Sequence, residues 1–443
     1  MKIRWNIYLT NRFFFVFAGI VLLFALCFAF PKLLPVVQTA LVAAIAITLT
    51  DIALLFGKKF NLKVKRYLPK MLSLGSDNHI RLEITNNFGM DLNLVVIDEV
   101  PVQFQLRNFS IKLRLNAGDK RVLDYTLRPL TRGEYVFNQT NIFIRTFLGF
   151  AERRKSILLS QTVPVYPSII EMKAFELKAL SRISNFHGIK KLRRLGQSYE
   201  FEQIKNYVMG DDYRSINWKA TSRKAELMVN QFEEEKAQQI YSILDASRSM
   251  HMPFNGLSLL DYSVNTSLVI SNIALNKQDK TGLLTFSDKI DTVIRADKGK
   301  GHLRKILEGL YKQKERSLEA NYELLYLAIR NSIRGRSLLF LYTNFESYFA
   351  LERALPIIRR INKIHLLVVV FFENSEVLDY STTESGNVEE IYLHTIAQKY
   401  ISEKRQIVSE LRQYGIQAIL TRPEDLSINT VNKYLELKSR GMI

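Results

Sequence analysis

Two apolar runs near the start of the chain constrain its fold more than any other feature. Residues 13–30 carry no charge, and residues 33–56 carry only Asp51. Each run is about 18–24 residues long, enough to cross a hydrocarbon core about 30 Å thick as a helix. Pro31, Lys32 and Pro35 lie between them, marking a turn that neither helix continues through. Residues 1–60 are therefore expected to form a transmembrane hairpin, with helices at about 13–30 and 33–56. A cleaved signal peptide fits less well, because a second apolar run follows and no clear Ala-x-Ala site ends the first. Lys2, Arg4 and Arg12 precede the first span, and Lys58, Lys59, Lys63, Lys65 and Arg66 follow the second, whereas the turn holds only Lys32. By the positive-inside rule both flanks and everything after about residue 60 face the cytosol. Asp51 falls about one turn from the cytoplasmic end. There it reaches the headgroup layer or pairs with Lys58, and no second intramembrane charge offers a proton or ion relay.

This placement also explains the charge. The 443 residues carry a net +19, and nine basic residues against one acid put +8 of it in residues 1–66. A further basic run, Lys178, Arg182, Lys190, Lys191, Arg193 and Arg194, has no acid between its members. No recognised nucleic-acid-binding motif accompanies it, so anionic lipid headgroups are the simpler partner and nucleic acid is not expected. The single cysteine, Cys27, falls in the first span, which excludes an internal disulfide framework and any cysteine-rich zinc module.

Residues 61–168 read as a β-sandwich. His79-Ile80-Arg81-Leu82-Glu83-Ile84, Ser110-Ile111-Lys112-Leu113-Arg114-Leu115 and Tyr135-Val136-Phe137 alternate with period two. Turn signals recur between them, as at Asn86-Asn87-Phe88-Gly89 and Asn116-Ala117-Gly118-Asp119, the spacing of an immunoglobulin-like sandwich of about 100 residues. Residues 169–238 read as a polar, basic connector. From 239 to 443, apolar runs at 240–244, 283–286, 338–342, 366–372 and 416–420 alternate with helical stretches. Strands apolar on both faces and separated by helices indicate a doubly wound α/β domain. The expected fold class is thus multidomain α/β plus all-β. No Gly-x-Gly-x-x-Gly follows the first strand and no Walker-type Gly-Lys-Ser occurs, so nucleotide binding is not indicated.

Open α/β sheets bind ligands at the carboxyl ends of their strands. The strand at 240–244 leads into Asp245-Ala246-Ser247-Arg248-Ser249-Met250, an acid and two hydroxyls at i, i+2 and i+4 of one loop. Hard oxygens of this kind suit Mg²⁺, which keeps several waters and takes few protein ligands. The plainer reading is a serine-rich turn capping the next helix. Upstream, Gly210-Asp211-Asp212 suits a turn, with aspartates bonding local amides. Arg214 has these carboxylates close in sequence, and Trp218 offers a face to Arg214 or Lys219.

Asp245-x-Ser247-x-Ser249 in this context resembles the metal-ion-dependent adhesion site of von Willebrand factor A domains. The run Tyr199-Glu200-Phe201-Glu202 through Tyr207-Val208-x-Gly210-Asp211-Asp212-x-Arg214-x-Ile216-Asn217-Trp218-Lys219-Ala220 resembles the signature of the domain-of-unknown-function-58 family. Further echoes are Arg132-Gly133-x-Tyr135, Phe147-Leu148-Gly149, Val165-Tyr166-Pro167-Ser168 and Tyr434-Leu435-Glu436-Leu437-Lys438. The resemblance implies a bacterial inner-membrane protein with a von Willebrand factor A-like domain. It implies work beside a MoxR-type AAA+ ATPase and other envelope-complex proteins, in assembling or activating proteins, and no enzyme. The implied metal ligands are Asp245, Ser247 and Ser249, with Asn344 from a third loop and, more weakly, Asn321 from a second. The chain departs from the pattern here. The second loop offers Ala320 or Asn321 where a Thr is usual, and Thr343-Asn344 stands where an Asp is usual. The site so loses a negative charge and is expected to hold Mg²⁺ weakly or not at all. Gly210, Asp211, Asp212, Arg214, Asn217, Trp218 and Lys219 either brace the connector against the α/β domain or face a partner.

Catalysis is the remaining rival. None of the six histidines stands in a His-Glu-x-x-His arrangement, and no Gly-x-Ser-x-Gly elbow occurs. A Ser247–His251 hydrolase would need an orienting acid and an oxyanion site that the sequence does not identify. The expectation is a non-catalytic, membrane-tethered interaction module.

Overall fold

A computed structural model describes residues 6–57, 61–106, 109–185, 195–209, 211–233, 237–299, 301–381 and 387–442. The chain divides into two compact units, Met1–Ser168 and Ile169–Ile443.

In the first unit a short strand β1 (Ile7–Leu9) precedes helix α1 (Asn11–Cys27), a 3₁₀ turn (Pro31–Leu33) and helix α2 (Leu34–Phe56). The helices meet through Ile20, Cys27, Val37 and Ala44, while residues such as Phe15 and Leu49 face outward. Among the described residues one helical segment, Pro31–Phe56, is long and apolar enough to cross a membrane, and Asn11–Cys27 is a shorter apolar helix.

Strands β2 (Leu62–Tyr67), β3 (Leu72–Ser73), β4 (Asn78–Asn86), β5 (Leu92–Asp98), β6 (Ile111–Leu115), β7 (Lys120–Leu127), β8 (Gly133–Arg145) and β9 (Ala151–Tyr166) follow. They form one sheet ordered β1-β9-β8-β5-β6, with β3 also on β9, and a second ordered β2-β4-β7. Period two decides the interior: Ile80, Leu82 and Ile84 are buried, whereas His79 and Arg81 are exposed.

The same alternation corrects the reading of Arg66 as a juxtamembrane charge. Leu62, Val64 and Arg66 share the buried face of β2, and the guanidinium lies between the sheets. It binds Asp98 through both Nε (3.0 Å) and Nη2, and donates to Thr140 Oγ1 at 3.0 Å and to the carbonyls of Asn138 and Leu159. Tyr125 donates its hydroxyl to Asp98 Oδ2 at 2.5 Å. Burial, then the neighbouring Asp98 carboxylate, pushes the Tyr125 hydroxyl above its ordinary range.

Asp51 also differs from expectation. Its carboxylate is fully buried and accepts from Thr146 Oγ1 and from the backbone amides of Phe150 and Ala151, each at 2.8 Å. Lys58, the expected partner, lies outside the described residues.

The second unit begins with helix α3 (Ile169–Asn185), so the expected connector is in its first part a folded element. Ile169, Met172 and Phe175 recur at helical spacing and join the core of the α/β layer, and Glu171 accepts from Ser427 at 2.7 Å. Strands β10 (Leu195–Asn206) and β11 (Met228–Glu233), with helix α4 (Trp218–Lys224) between them, make a separate antiparallel ribbon. Lys190, Lys191, Arg193 and Arg194 lie outside the described residues.

The α/β layer comprises β12 (Gln239–Asp245), a small hairpin of β13 (Pro253–Phe254) and β14 (Leu257–Ser258), α5 (Leu259–Asn276), β15 (Lys280–Phe286), β16 (Ile290–Asp297), α6 (His302–Tyr311), α7 (Tyr322–Ser332) and β17 (Leu338–Tyr342). Helix α8 (Tyr348–Ile364), β18 (Leu366–Phe372), α9 (Ser375–Tyr380), α10 (Val388–Gln413), β19 (Gln417–Thr421) and α11 (Leu426–Ser439) complete it. The sheet order is β16-β15-β12-β17-β18-β19, parallel throughout except for β16, an antiparallel edge that the sequence reading had not separated. Successive residues of β12 feed opposite cores. Ile240 and Leu244 pack with α5, α6 and α11, whereas Tyr241 and Ile243 pack with α7, α8 and α10. Burial on both faces is why these strands read as continuous apolar runs.

Candidate functional site

Strand β12 lies inside the sheet between β15 and β17, so the loop at its carboxyl end opens where the neighbouring loops also leave the sheet. Asp245 ends this strand with no exposed surface. Its Oδ1 accepts from Ser247 N at 2.9 Å and its Oδ2 from Thr343 Oγ1 at 2.6 Å. Ser247 and Ser249 place their Oγ atoms 3.1 Å apart. The acid and the two hydroxyls thus share one loop surface.

Backbone bonds fix the neighbouring loops: Arg248 N donates to Leu318 O at 3.0 Å, and Asn321 N to Ser287 O at 2.8 Å. The loops enclose an open cleft of about 410 Å³ that Asp245, Ser247 and Ser249 line. Its apolar wall includes Phe345, Ala354 and Ile357, and exposed ion pairs Arg248–Glu346 (3.8 Å) and Arg353–Glu319 (3.5 Å) rim it. Exposed pairs of this kind contribute little stability, and here they supply charge pattern at the mouth. Burial pushes the Asp245 carboxyl up from its ordinary range, and the hydrogen bonds from Ser247 and Thr343 pull it back.

The residues expected from the third and second loops also line the cleft, and each makes a local hydrogen bond. Asn344 Oδ1 accepts from Lys404 Nζ at 3.0 Å, and its Nδ2 donates to Ser249 O at 3.1 Å. Lys404 also donates to Phe345 O, and burial lowers its ammonium pKa to about 8, with Glu346 and Glu403 opposing. Asn321 caps helix α7, its side chain accepting from Leu324 N at 3.1 Å. Among the described residues no group of three or more His, Cys, Asp or Glu is placed to hold a metal. Of the expected ligands, Asp245, Ser247 and Ser249 offer their oxygens from one loop at the cleft. Three hard donors of which one is charged suit an ion that keeps most of its waters.

Sequence reasoning names Thr343 only as the residue before Asn344, and it misses Tyr322 and Lys404. Tyr322 hydroxyl lies 2.8 Å from Thr343 Oγ1, so a buried chain of hydroxyls backs the carboxylate. Burial, then Asp245, raises the Tyr322 hydroxyl pKa. Thr343 adjoins the expected Asn344, so the signal was one residue away. Lys404 sits on an amphipathic helix, where a lysine ordinarily reads as solvent-facing. The alternative pair is not formed: among the described residues no hydrogen bond joins Ser247 Oγ to His251, whose Nε2 is 3.9 Å from Glu315.

The upstream signature forms the β10–α4–β11 ribbon. Asp211 accepts from Lys205 Nζ at 2.8 Å and from Val208 N at 3.0 Å, and these bonds, led by Lys205, hold its carboxyl below the usual range. Asp212 caps a single 3₁₀ turn through Arg214 N at 3.0 Å. Asn217 caps α4 through Ala220 N at 3.0 Å and bonds Asn230 at 2.8 Å. Among the described residues the Arg214 guanidinium forms no ion pair with a carboxylate. Its guanidinium lies 5.7 Å from the Tyr213 ring centre, and Trp218 and Lys219 are exposed. Gly210 lies outside the described residues. These bonds run within the ribbon, and Trp218 (70% exposed) and Met209 (98%) are left outward.

Residues 203–379 match the family described as "Protein of unknown function DUF58", a stretch that begins in the ribbon and includes the whole Asp245 loop. The chain is 23% identical over 123 residues to "Uncharacterized protein YeaD" of Bacillus subtilis (strain 168), covering 28% of this chain and 30% of that protein. The chain therefore spans under a third of this relative's length. Among solved structures it is similar to proximal thread matrix protein 1 from the mussel byssus, at 11% identity, 46% of each chain and a TM-score of 0.26. It is also similar to the conserved hypothetical protein BatB from Bacteroides thetaiotaomicron, at 15% identity, 31% of this chain, 68% of that one and a TM-score of 0.21. What the comparisons establish is a DUF58 match over residues 203–379, in a chain that carries one N-terminal helix apolar and long enough to span a membrane.

Proposed function

We propose that this chain is a non-catalytic, membrane-tethered interaction module. Its two apolar helices hold it in a bacterial inner membrane as a hairpin, and the chain after about residue 60 faces the cytosol, as the basic flanks require. Its von Willebrand factor A-like α/β layer presents the Asp245 loop to a protein partner. The resemblance to the DUF58 family makes a MoxR-type AAA+ ATPase the partner class, with other envelope-complex proteins as clients. The observation that carries this reading is the Ser247–Ser249 hydroxyl pair beside a buried carboxylate, with hydrogen bonds but no ion-pair partner among the described residues, at an open cleft.

Asp245, Ser247 and Ser249 would hold Mg²⁺, leaving coordination positions for water and for an acidic side chain of the partner. A bound divalent cation supplies the positive charge that links two carboxylates. Thr343 holds the Asp245 carboxylate in place, and Lys404 holds the Asn344 loop. The exposed Trp218 side of the ribbon favours the partner-facing account of the signature over bracing, because Trp is among the residues that dominate protein contacts.

Purification of the full chain in mild detergent, with and without Mg²⁺, should recover an AAA+ partner in a Mg²⁺-dependent manner. Asp245→Ala should reduce capture at least about tenfold, as for loss of a charged contact of about 1.4 kcal/mol or more. Equal capture by Asp245→Ala and wild type, with folding unchanged, sinks the metal-bridge reading.

A further inference from the structure

The turn joining β8 to β9 is fastened to both apolar helices of its own unit. Asp51 of α2 receives Thr146 Oγ1 and the amides of Phe150 and Ala151. Thr10, immediately before α1, donates its hydroxyl to Gly149 O at 2.6 Å and its amide to Phe150 O at 3.0 Å. Arg153 donates to Leu55 O at 2.7 Å, which caps the end of α2, and its guanidinium lies 4.6 Å from the Phe56 ring centre. Strand β1 adds antiparallel pairing with β9. Gly149 has φ +69°, and a Cβ there would come 3.3 Å from Arg12 Nη1, so the turn closes tightly on the helix start.

These bonds fix the depth of the turn. The helix from Leu34 to Asp51 rises about 26 Å, close to the thickness of a hydrocarbon core. Thr10 and Asp51 therefore mark one level, the edge of the apolar slab on the side of the basic flanks. At that level Phe147 is 71% exposed and Leu148 is partly exposed, beside the outward faces of the helices. An exposed phenylalanine and a partly exposed leucine beside arginines at this depth suit shallow insertion at the headgroup–acyl boundary, as apolar side chains flanked by basic ones do on interfacial segments.

We propose that the turn Thr146–Phe150 is an interfacial lipid anchor, inserting Phe147 and Leu148 at the headgroup–acyl boundary and holding the β domain against the bilayer face. The inference rests on the reading of the two helices as a membrane hairpin, and the test separates the two. Trp5 and Trp218 are replaced by phenylalanine in the full chain, and single tryptophans are introduced as Phe147→Trp, Val102→Trp and Val42→Trp, the last at the outward-facing middle of the span from Leu34 to Asp51. Each protein is reconstituted in phosphatidylethanolamine–phosphatidylglycerol vesicles with and without lipids brominated near the headgroup or deep in the chains. Val102 lies beyond Asp98, the end of β5 farthest from Asn93, which faces Arg145 at the turn end.

Headgroup-proximal bromines should quench Phe147→Trp at least about twofold and deep bromines should quench Val42→Trp, with Val102→Trp unaffected. Quenching of Val42→Trp without quenching of Phe147→Trp overturns the anchor and leaves the hairpin standing, and the turn then faces water or a protein. No quenching of Val42→Trp overturns the hairpin and the anchor with it.

Discussion

Asp98→Ala should destabilise the β domain by about 3–5 kcal/mol, the cost of removing one member of a buried ion pair. Arg66 and Asp98 have almost no exposed side-chain surface, so the orphaned guanidinium gains no compensating water. Two further donors, Tyr125 and Thr140, lose their acceptor in the same change. These residues come from both sheets, β2 and β7 on one side and β5 and β8 on the other, so the carboxylate ties the interior together. Urea unfolding of the detergent-solubilised chain, followed by signals of the β domain, measures the loss. The double change Arg66→Met with Asp98→Leu should recover most of it, because apolar replacement of a buried pair is often neutral or stabilising. A loss below about 1 kcal/mol for Asp98→Ala would show that the pair is solvated in the folded protein.

Lys404 should make the α/β unit more stable in mild alkali. Its side chain is 2% exposed, and burial lowers its pKa to about 8, against about 10.4 in an unfolded chain. Below pH 8 both states carry the proton, and the folded state bears the full cost of a buried ammonium. Between pH 8 and 10.4 the folded amine is neutral while the unfolded one still binds a proton. Stability therefore rises with pH across that window and levels off above it. The gain is on the order of 3 kcal/mol. A neutral amine keeps two N–H donors, enough for Asn344 Oδ1 and Phe345 O, so the loop stays tied as the proton leaves. Unfolding of wild type and Lys404→Met should be compared in chelator from pH 7 to 10.5. Their difference should change by this amount, and an unchanged difference would show that the ammonium is not desolvated.

The two cases show what a linear reading catches. Arg66 was legible in principle, since Leu62, Val64 and Arg66 alternate, but its position after the apolar run made it look like a flank charge. Its partner Asp98 is 32 residues away on the other sheet, a pairing that no local pattern encodes. Lys404 follows the same logic on a helix. Its face is apolar through Ala397, Ile401, Ile407 and Leu411, yet only the packed loop after β17 supplies the carbonyls that accept its donors. Asn321 and Asn344 lie beside the Asp245 loop as their sequence positions suggest, but their local hydrogen bonds, from Leu324 N and from Lys404, are details of the folded structure that spacing does not encode.

By itself the sequence determined the apolar helices, the period-two β domain and the alternating strands and helices of the α/β layer. Each depends on spacing along the chain, which the 3.6-residue and 2-residue periods make readable. It also located Asp245, Ser247 and Ser249 together, since they share one loop. Tertiary structure alone decided which charges are buried, what Asp51 holds, and which oxygens remain open at the site. Those outcomes depend on contacts between residues tens to a hundred positions apart, where desolvation makes a polar group bind whichever partner folding brings within reach.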